Sequence, residues 1–129
     1  MIVLDASAAV ELVLATPPGV AVARRLRGET VHAPAHFDVE VIGAIRRAVV
    51  RQLISDHEGL VAVADFQVLP LRRWPTKPFV QRAYQLRSTH TVADGVYVAL
   101  AEGLAAPLIT CDGRLAQIHG RDAEMELIA

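Results

Sequence analysis

Two acidic residues come directly after short apolar runs that have the character of buried strands. Asp5 ends the run Met1–Leu4, and Asp112 ends a run that starts at Pro107 and is followed at once by Gly113. A buried strand that ends on a carboxylate places that charge at the rim of a sheet, where parallel α/β folds bind their ligands. Asp5 and Asp112 are therefore candidates for one shared site.

Two further acids lie in helical segments where an unpaired carboxylate is costly. Asp94 is in the first turn of Val92–Glu102, a segment with almost no polar face, which predicts a helix buried on all sides. A helix N-terminus contributes only roughly 0.3–1 kcal/mol to such an anion, which is less than the cost of burying it. Glu40 lies at the edge of the apolar stripe that begins at Phe37. The alternatives are a capping Asp94 that faces water and a Glu40 in a surface salt bridge.

The elements that must position these acids alternate between short apolar strands and helices, which predicts an α/β sandwich on a mainly parallel sheet. The predicted strands are Ile2–Leu4, Val31–Ala33, Leu108–Thr110 and Glu124–Ile128, with at most an edge strand over Phe66–Leu71 because of Pro70. The predicted helices run from Ser7 as N-cap to about Ala15, from Pro17 to a stop at Gly28, from His36 to Leu53, from Ser55 to about Ala64, over Phe79–Arg87, from Thr91 to a stop at Gly103, and over Leu115–His119. Arg72–Pro78 is predicted to be a basic loop.

In this arrangement all four acids can reach one rim of the sheet. Carboxylates that lie close together repel each other and stay ionised at neutral pH only beside a cation. A set of oxygen ligands without a His or Cys cluster indicates Mg²⁺ or Mn²⁺ rather than Zn²⁺. Such an ion leaves positions for phosphate oxygens, so the acids Asp5, Glu40, Asp94 and Asp112 predict metal-assisted hydrolysis of phosphodiester bonds.

Four segments, in this order and at these separations, resemble the PIN-domain ribonucleases and, within them, the VapC toxins of bacterial toxin–antitoxin pairs. They are Val3–Ser7, Ala33–Val41, Thr91–Glu102 and Leu108–Leu115, and the resemblance covers essentially the whole chain. One departure is Gly95, where the family usually has Ala, and it predicts a slightly looser helix start.

The resemblance implies a three-layer α/β/α sandwich with a mainly parallel sheet of four to five strands. It implies Asp5, Glu40, Asp94 and Asp112 as the ligands of Mg²⁺ or Mn²⁺, with Ser7 and Thr110 beside them. It also implies cleavage of single-stranded or structured RNA such as tRNA or rRNA, which arrests translation. A homodimer and a VapB-type antitoxin that wraps the toxin near the acids complete these expectations.

Length and composition agree with a single domain over residues 1–129. Hydrophobic residues make up 53% of the chain, and 13 basic residues face 14 acidic ones, so no global basic field indicates nucleic acid. The lone Cys111 excludes an intramolecular disulfide and suits the cytoplasm. No uncharged run approaches the ~18 residues that a membrane span needs, so we expect no membrane association.

Several other residues have two open interpretations. Arg114 could meet a substrate phosphate or Asp112, or simply be solvated at a helix start. His90 could line the cleft, and Trp74 could stack on a base or pack against the domain. The basic clusters, which could follow an RNA backbone or form solvated faces, are Arg46, Arg47 and Arg51, and Arg72, Arg73 and Lys77.

Three other functions remain to be weighed against a nuclease. A haloacid-type phosphatase requires a second Asp two residues after the first, where this chain has Ser7. A receiver domain requires a Lys after a late strand, and the only Lys is Lys77. A non-catalytic PIN-like module that binds RNA or protein is the main alternative, although such a scaffold would usually have lost one of the acids.

Overall fold

Five parallel strands form a single sheet in the computed structural model, which describes residues 1–129. The strands are β1 (Ile2–Leu4), β2 (Val31–Pro34), β3 (Arg72–Trp74), β4 (Leu108–Thr110) and β5 (Met125–Leu127), in the spatial order β3-β2-β1-β4-β5. The helices are α1 (Ala6–Val13), α2 (Pro17–Leu26), α3 (Phe37–Val50), α4 (Asp56–Gln67), α5 (Val80–Gln85) and α6 (Val92–Leu104), with short 3-10 helices at Lys77–Phe79 and Leu115–Gln117. The predicted α/β sandwich on a parallel sheet is confirmed.

The strand order places a topological switch between β1 and β4. From β1 the chain proceeds outward to β2 and β3, whereas from β4 it proceeds in the other direction to β5. Ligands of open parallel sheets bind at such a switch, outside the carboxyl ends of the strands. The residues that follow these two ends, Asp5 and Asp112, are the two acids that the sequence predicted at the rim.

The helices cover both faces of the sheet, so its central strands have no exposed side chains. Ile2, Val3 and Leu4 of β1 are all 0% exposed, as are Leu108 and Ile109 of β4. Helix α6 packs against β1, β2 and β4, and α1 packs against α2, α3, α4 and β4. Continuous apolar strands of this kind are what a parallel sheet covered on both faces requires.

The prediction for the segment between α4 and α5 was wrong. Phe66 belongs to α4, and the edge strand is Arg72–Trp74, within the stretch predicted to be a loop. An apolar count favoured residues 66–71, but an edge strand with one open side tolerates exposed Arg side chains. Trp74 packs against the core and its Nε1–H donates to His32 Nδ1 at 3.0 Å.

Both edges of the sheet carry charged side chains. On β3, the exposed Arg73 pairs with Asp38, with 2.7 Å between Nε and Oδ2. On β5, Glu126 pairs with Arg25 at 2.7 Å. These ion pairs tie β3 to α3 and β5 to α2.

Most helix limits were predicted within a few residues. The capping box of Ser55 and Glu58 at the start of α4 is confirmed, as is the Thr91 cap of α6. Helix α6 does not stop at Gly103, because Ala105 adopts the left-handed conformation (φ 49°) that ends it.

No single helix is long and apolar enough to cross a membrane. Helices α1 and α2 meet those criteria only when they are taken as a pair, and the pair is bent by 108°.

Candidate active site

Asp5 is the most enclosed of the four predicted acids. It directly follows β1, caps α1 in an extended conformation (φ −76°, ψ 152°) and is only 6% exposed. Its Oδ2 accepts hydrogen bonds from the Ser7 hydroxyl at 2.5 Å, the Thr110 hydroxyl at 2.8 Å and the Ser7 amide at 3.3 Å. Burial raises the pKa of Asp5, and these hydrogen bonds offset the effect only in part. Oδ1 has no protein donor.

The Ser7 side chain connects β1 to β4 instead of capping α1. The predicted Ser7 cap was wrong because β1 ends at Leu4 and Asp5 is the one extended residue before the helix. Ser7 Oγ donates its single proton to Asp5 and accepts the Cys111 amide at 3.0 Å. The segment after β4 is thereby held against the start of α1.

Thr110 repeats this arrangement from the other strand. Its side chain is fully buried at the end of β4, donates to Asp5 and accepts the Asp112 amide at 3.0 Å. Its Oγ1 lies 3.2 Å from Ser7 Oγ. Ser7 and Thr110, predicted beside the site, thus fix both the Asp5 carboxylate and the backbone of Asp112.

Glu40 lies in the first turn of α3 and is held by two side chains. Tyr97 of α6 donates its hydroxyl to Glu40 Oε1 at 2.7 Å, and His36 Nε2 lies 3.1 Å from the same oxygen and 3.1 Å from the Ala93 carbonyl. Burial favours a higher pKa for Glu40, but these two hydrogen bonds outweigh it and the pKa is lowered. For His36, burial lowers the pKa, but the hydrogen bond and charge of Glu40, together with the Ala93 carbonyl and the charge of Asp94, outweigh burial and the pKa is raised.

Asp94 is the acid with the fewest protein contacts. Its amide donates to the Thr91 cap at 3.2 Å, but its carboxylate has no hydrogen bond or ion pair with the protein. The side chain is half-buried because α6 is enclosed only from Gly95 onward, while Thr91, Val92 and Ala93 are exposed. The prediction of a helix buried on all sides was therefore wrong for its first turn, and solvent already compensates part of the charge.

Gly95 allows α6 to approach α5 closely next to Asp94. A Cβ at this position would lie 2.9 Å from the Ala83 carbonyl oxygen and 3.0 Å from the Ala83 Cα. The sequence predicted a looser helix start, but Gly95 is buried in a tight backbone contact. This contact fixes the position from which Asp94 projects.

Asp112 is held by the residue that follows the turn. Its Oδ1 accepts the Arg114 amide at 2.9 Å, and the Arg114 guanidinium lies 3.3 Å from Oδ2. Burial favours a higher pKa for Asp112, but the hydrogen bonds from Arg114 lower it overall. The Arg114 side chain is 89% exposed, so this ion pair is screened by water.

The four acids line one cavity of about 370 Å³ at the switch point, together with Ser7 and Arg114. Thr110 lies beneath it, bound to Asp5. The structure thus brings together all the residues that the sequence grouped. Their roles in chemistry remain predictions.

The four carboxylates have the ligand chemistry that a hard divalent cation requires, but their oxygens do not converge on one point. Carboxylate oxygens are the ligands that Mg²⁺ and Mn²⁺ prefer, and Asp5 Oδ1 and the Asp94 carboxylate are free of protein donors. No three acidic, His or Cys side chains, however, are arranged to hold one ion. The acids surround the cavity, and the ones that would hold a cation are Asp5, Glu40, Asp94 and Asp112.

Four residues near the acids were not predicted to belong to the site. Glu11 and Arg47 line the cavity, and His36 and Tyr97 contact Glu40. Helical spacing carried this signal: Glu11 follows Ser7 by four residues and Arg47 follows Glu40 by seven, so each shares a face with a predicted site residue. Tyr97 belongs to the apolar part of α6 and is fully buried, but its hydroxyl donates to Glu40 at the site.

Comparison with known proteins agrees with this architecture. The family model described as the PIN domain matches residues 2–120. The chain is 84% identical over 129 residues, the full length of both proteins, to Ribonuclease VapC12 of Mycobacterium tuberculosis. It is 37% identical to Ribonuclease VapC1 of the same species, over 98% of this chain and 96% of the relative.

Solved structures share the fold at low sequence identity. Mycobacterium tuberculosis VapC20, described as a sarcin–ricin loop cleaving toxin, superposes with a TM-score of 0.66 at 14% identity, covering 90% of this chain and 93% of that one. FitAcB of Neisseria gonorrhoeae also gives 0.66, at 22% identity, over 97% and 96% of the two chains. With the family match and the full-length identity, the chain belongs to the PIN-domain family and, within it, to the VapC ribonuclease toxins.

Proposed function

We propose that the chain is an endoribonuclease toxin that hydrolyses phosphodiester bonds of RNA with Mg²⁺ or Mn²⁺. The observation that carries this proposal is the single cavity at the β1–β4 switch, which is lined by Asp5, Glu40, Asp94 and Asp112. Acidic side chains from four separate segments have no structural reason to surround one cavity, since their repulsion destabilises the fold. A cation-dependent reaction supplies that reason.

The side chains have different parts in this reaction. When bound, a divalent ion neutralises charge on the phosphate and activates the attacking water. Asp5 presents Oδ1 to the cavity while Ser7 and Thr110 hold Oδ2. Tyr97 and His36 keep Glu40 ionised and oriented. The free carboxylate of Asp94 also lines the cavity, where it can hold the cation or orient water.

The relatives support RNA as the substrate. Two are named ribonucleases, and the fold neighbour VapC20 is described as cleaving the sarcin–ricin loop. We infer that this chain cleaves tRNA or rRNA in single-stranded or structured form and thereby inhibits translation. We also propose a cytoplasmic location, which the single, unpaired Cys111 supports.

A VapB-type antitoxin is the partner that we propose for this chain. The helices α3 and α4 leave an uncovered apolar groove of about 440 Å³, which includes Ile42, Val49 and Leu60. An amphipathic helix is the kind of segment that covers such a groove. We also propose that the chain acts as a single domain over residues 1–129 and forms a homodimer.

Cleavage of RNA by the purified chain tests the proposed function. We expect cleavage with Mg²⁺ or Mn²⁺, its loss on addition of EDTA, and its loss in Asp94→Asn. The matched control is Asp65→Asn, which changes an exposed acid on α4 that has no ion pair. Unchanged cleavage by folded Asp94→Asn protein would sink the proposed mechanism.

The second candidate is a non-catalytic module that binds RNA or protein. It is favoured by the absence of any three acidic side chains arranged to hold one ion. A chain of this kind would bind RNA equally well with Mg²⁺ and with EDTA and would leave it intact under both conditions. The cleavage experiment therefore separates the two functions.

A further inference from the structure

A second cleft adjoins the acid cavity and is lined entirely by polar side chains. It has a volume of about 410 Å³ and is formed by the segment from Arg87 to Thr91 together with Asp94 and Arg114. Asp94 and Arg114 also line the acid cavity. The two spaces therefore share a wall, and a polymer that crosses the acids on this side enters the polar cleft next.

We propose that this cleft binds a backbone phosphate of the RNA strand next to the phosphate that is cleaved. The proposal rests on the proposed nuclease function and deepens it by assigning a substrate-positioning subsite. Arg87 and Arg114 supply its positive charge, and the loop hydroxyls of Ser88 and Thr89 supply additional donors.

The charge of Arg87 is not neutralised by the protein. Its guanidinium lies 4.3 Å from the centre of the Tyr84 ring and donates to the Tyr84 carbonyl at 3.1 Å. No carboxylate pairs with it. The stacking on Tyr84 holds the side chain in place, and the full charge remains available to an anion. Arg is well suited to this task because its planar guanidinium can bind two phosphate oxygens at once.

Arg114 is bound too weakly to be committed to Asp112. The ion pair has a separation of 3.3 Å and the side chain is 89% exposed, conditions under which such pairs contribute little. A phosphate that approaches from the cleft can therefore compete for this guanidinium. Because Arg114 stands in the wall between the two spaces, it can contact a phosphate in either one.

The cleft is built by specific contacts between two segments. His90 bridges them: its Nδ1 contacts the Thr89 hydroxyl at 2.8 Å, and its Nε2 contacts the Arg114 carbonyl oxygen. The Arg87–Thr91 loop and the turn after β4 are thereby held together. This gives His90, which the sequence could not assign, a positioning part in the subsite.

The composition of the lining favours a phosphate over a base or a protein segment. A base would need an aromatic surface for stacking, and a peptide would need an apolar anchor. No apolar side chain and no Phe, Tyr or Trp lines the cleft, and the ring nitrogens of His90 are engaged by Thr89 and the Arg114 carbonyl. Charge and hydrogen-bond donors without an apolar surface are the features of a backbone contact.

The proposal is tested by measuring how tightly the chain binds a labelled single-stranded oligoribonucleotide in EDTA. Fluorescence anisotropy reports the binding, and the measurement is repeated over a range of salt concentrations. We expect Arg87→Gln to weaken binding about 3- to 10-fold and to reduce the salt slope by about 0.7, the value for one lost phosphate contact on a single strand. Arg87→Lys should recover part of the loss. A DNA strand of the same sequence should show the same fold loss, because the phosphates are common to both.

The matched control is Arg24→Gln, which removes an exposed, unpaired Arg from α2, outside both spaces. Equal effects of the Arg87 and Arg24 substitutions would overturn the proposal, as would a loss seen with RNA and not with DNA.

In cleavage assays, a raised KM with an unchanged kcat in Arg87→Gln supports the positioning role. If the wild-type chain cleaves RNA and Arg87→Gln binds and cleaves equally well, the subsite is refuted while the nuclease function stands. If the wild-type chain does not cleave but Arg87→Gln still weakens binding with the reduced salt slope, the nuclease function fails and the phosphate contact stands.

Discussion

The acid cavity has a strand side, formed by Asp5, Ser7 and Thr110 at or just after the ends of β1 and β4, and a helix side, formed by Asp94 at the start of α6. The two sides hold their carboxylates in opposite ways. On the strand side, Asp5 is buried and three hydrogen bonds from Ser7 and Thr110 converge on one of its oxygens. On the helix side, Asp94 is half-exposed and its carboxylate contacts no protein group. Folding thus fixes the geometry of one side, at an electrostatic cost, and leaves the other side for water and ligands.

Stability and chemistry are therefore coupled on the strand side of the cavity and nearly independent on the helix side. The raised pKa of Asp5 means that ionisation of this group destabilises the fold. Removal of the Asp94 charge loses only its favourable interaction with the N-terminus of α6. Substitutions that remove either charge should have similar effects on activity and different effects on stability.

As the largest expected effect, Asp5→Asn and Asp94→Asn should each lose activity by about 100-fold or more.

The free energy of unfolding should differ between these two variants. Because the folded-state pKa of Asp5 is above its unfolded value, the destabilisation appears as pH rises above the unfolded value and is complete only above the folded one. Asn keeps the cap and the acceptor oxygen, so Asp5→Asn should be more stable than wild type at pH 7 in EDTA, and this gain should vanish in acid. Asp94→Asn should lose about 0.3–1 kcal/mol.

Urea unfolding at several pH values, in EDTA, measures this separation. A loss of stability in Asp5→Asn at pH 7 that is as large as the loss in Asp94→Asn would show that the two carboxylates contribute to stability in the same way.

The second effect concerns the contact that positions the helix side. Gly95→Ala places a Cβ 2.9 Å from the Ala83 carbonyl oxygen, so we expect a loss of about 1–3 kcal/mol and reduced cleavage as Asp94 moves. Gly43→Ala on α3 is the control, since its Cβ would meet only the Arg47 side chain at 3.6 Å. It should gain up to about 1 kcal/mol from helix propensity. Thermal unfolding of both variants checks the opposite signs, and a loss in both would show that the α5–α6 contact is not special.

The third effect concerns the hydrogen bond of 2.7 Å between Tyr97 and Glu40, which joins α6 to α3 beside the cavity. Tyr97→Phe removes a buried donor to a partly exposed carboxylate, so we expect a loss of about 1–2 kcal/mol and a fall in cleavage. Tyr84→Phe is the matched control, because Tyr84 is 58% exposed and its hydroxyl has no partner. Chemical unfolding and cleavage rates should change in the first variant alone; equal changes in both would remove Glu40 orientation as the cause.

The smallest effect compares two Arg–carboxylate pairs. Arg82 binds Glu102 through two nitrogens, at 2.8 and 3.1 Å, and the Glu102 side chain is only 14% exposed. Arg82→Gln should cost about 1 kcal/mol, whereas Arg114→Gln should leave the free energy of unfolding unchanged. Burial favours a higher pKa for Glu102, but Arg82 lowers it overall. The contribution of this pair is therefore present above the unfolded pKa and is lost as the pH falls through the folded one. Denaturant titrations at neutral and acid pH test both statements.

The sequence predicted the features that depend on local pattern and chain order. The apolar runs before Asp5 and Asp112 identified the two central strands, and the all-apolar character of α6 identified the central helix. The grouping of the acids followed from the rule that ligands bind at the carboxyl ends of parallel strands. None of these inferences required knowledge of side-chain contacts.

The features that the sequence could not predict depend on long-range packing. The exposed first turn of α6 and the close approach at Gly95 follow from how α5 lies against α6. The edge strand over Arg72–Trp74 exists because β2 offers a free edge, which overrides a sequence poor in strand-forming residues. The Tyr97–Glu40 bond joins residues 57 positions apart, and only the fold brings them together.

The charged edges of the sheet also bear on how copies of this chain can meet. Arg73 on β3 and Glu126 on β5 are each engaged with a helix of the same molecule, and charged edge strands of this kind oppose pairing with a second sheet. A continuous intermolecular sheet, the usual route from a folded α/β chain to fibrillar aggregates, is therefore disfavoured at both ends. We expect copies of this chain to meet through helical surfaces and not through the edges of the sheet.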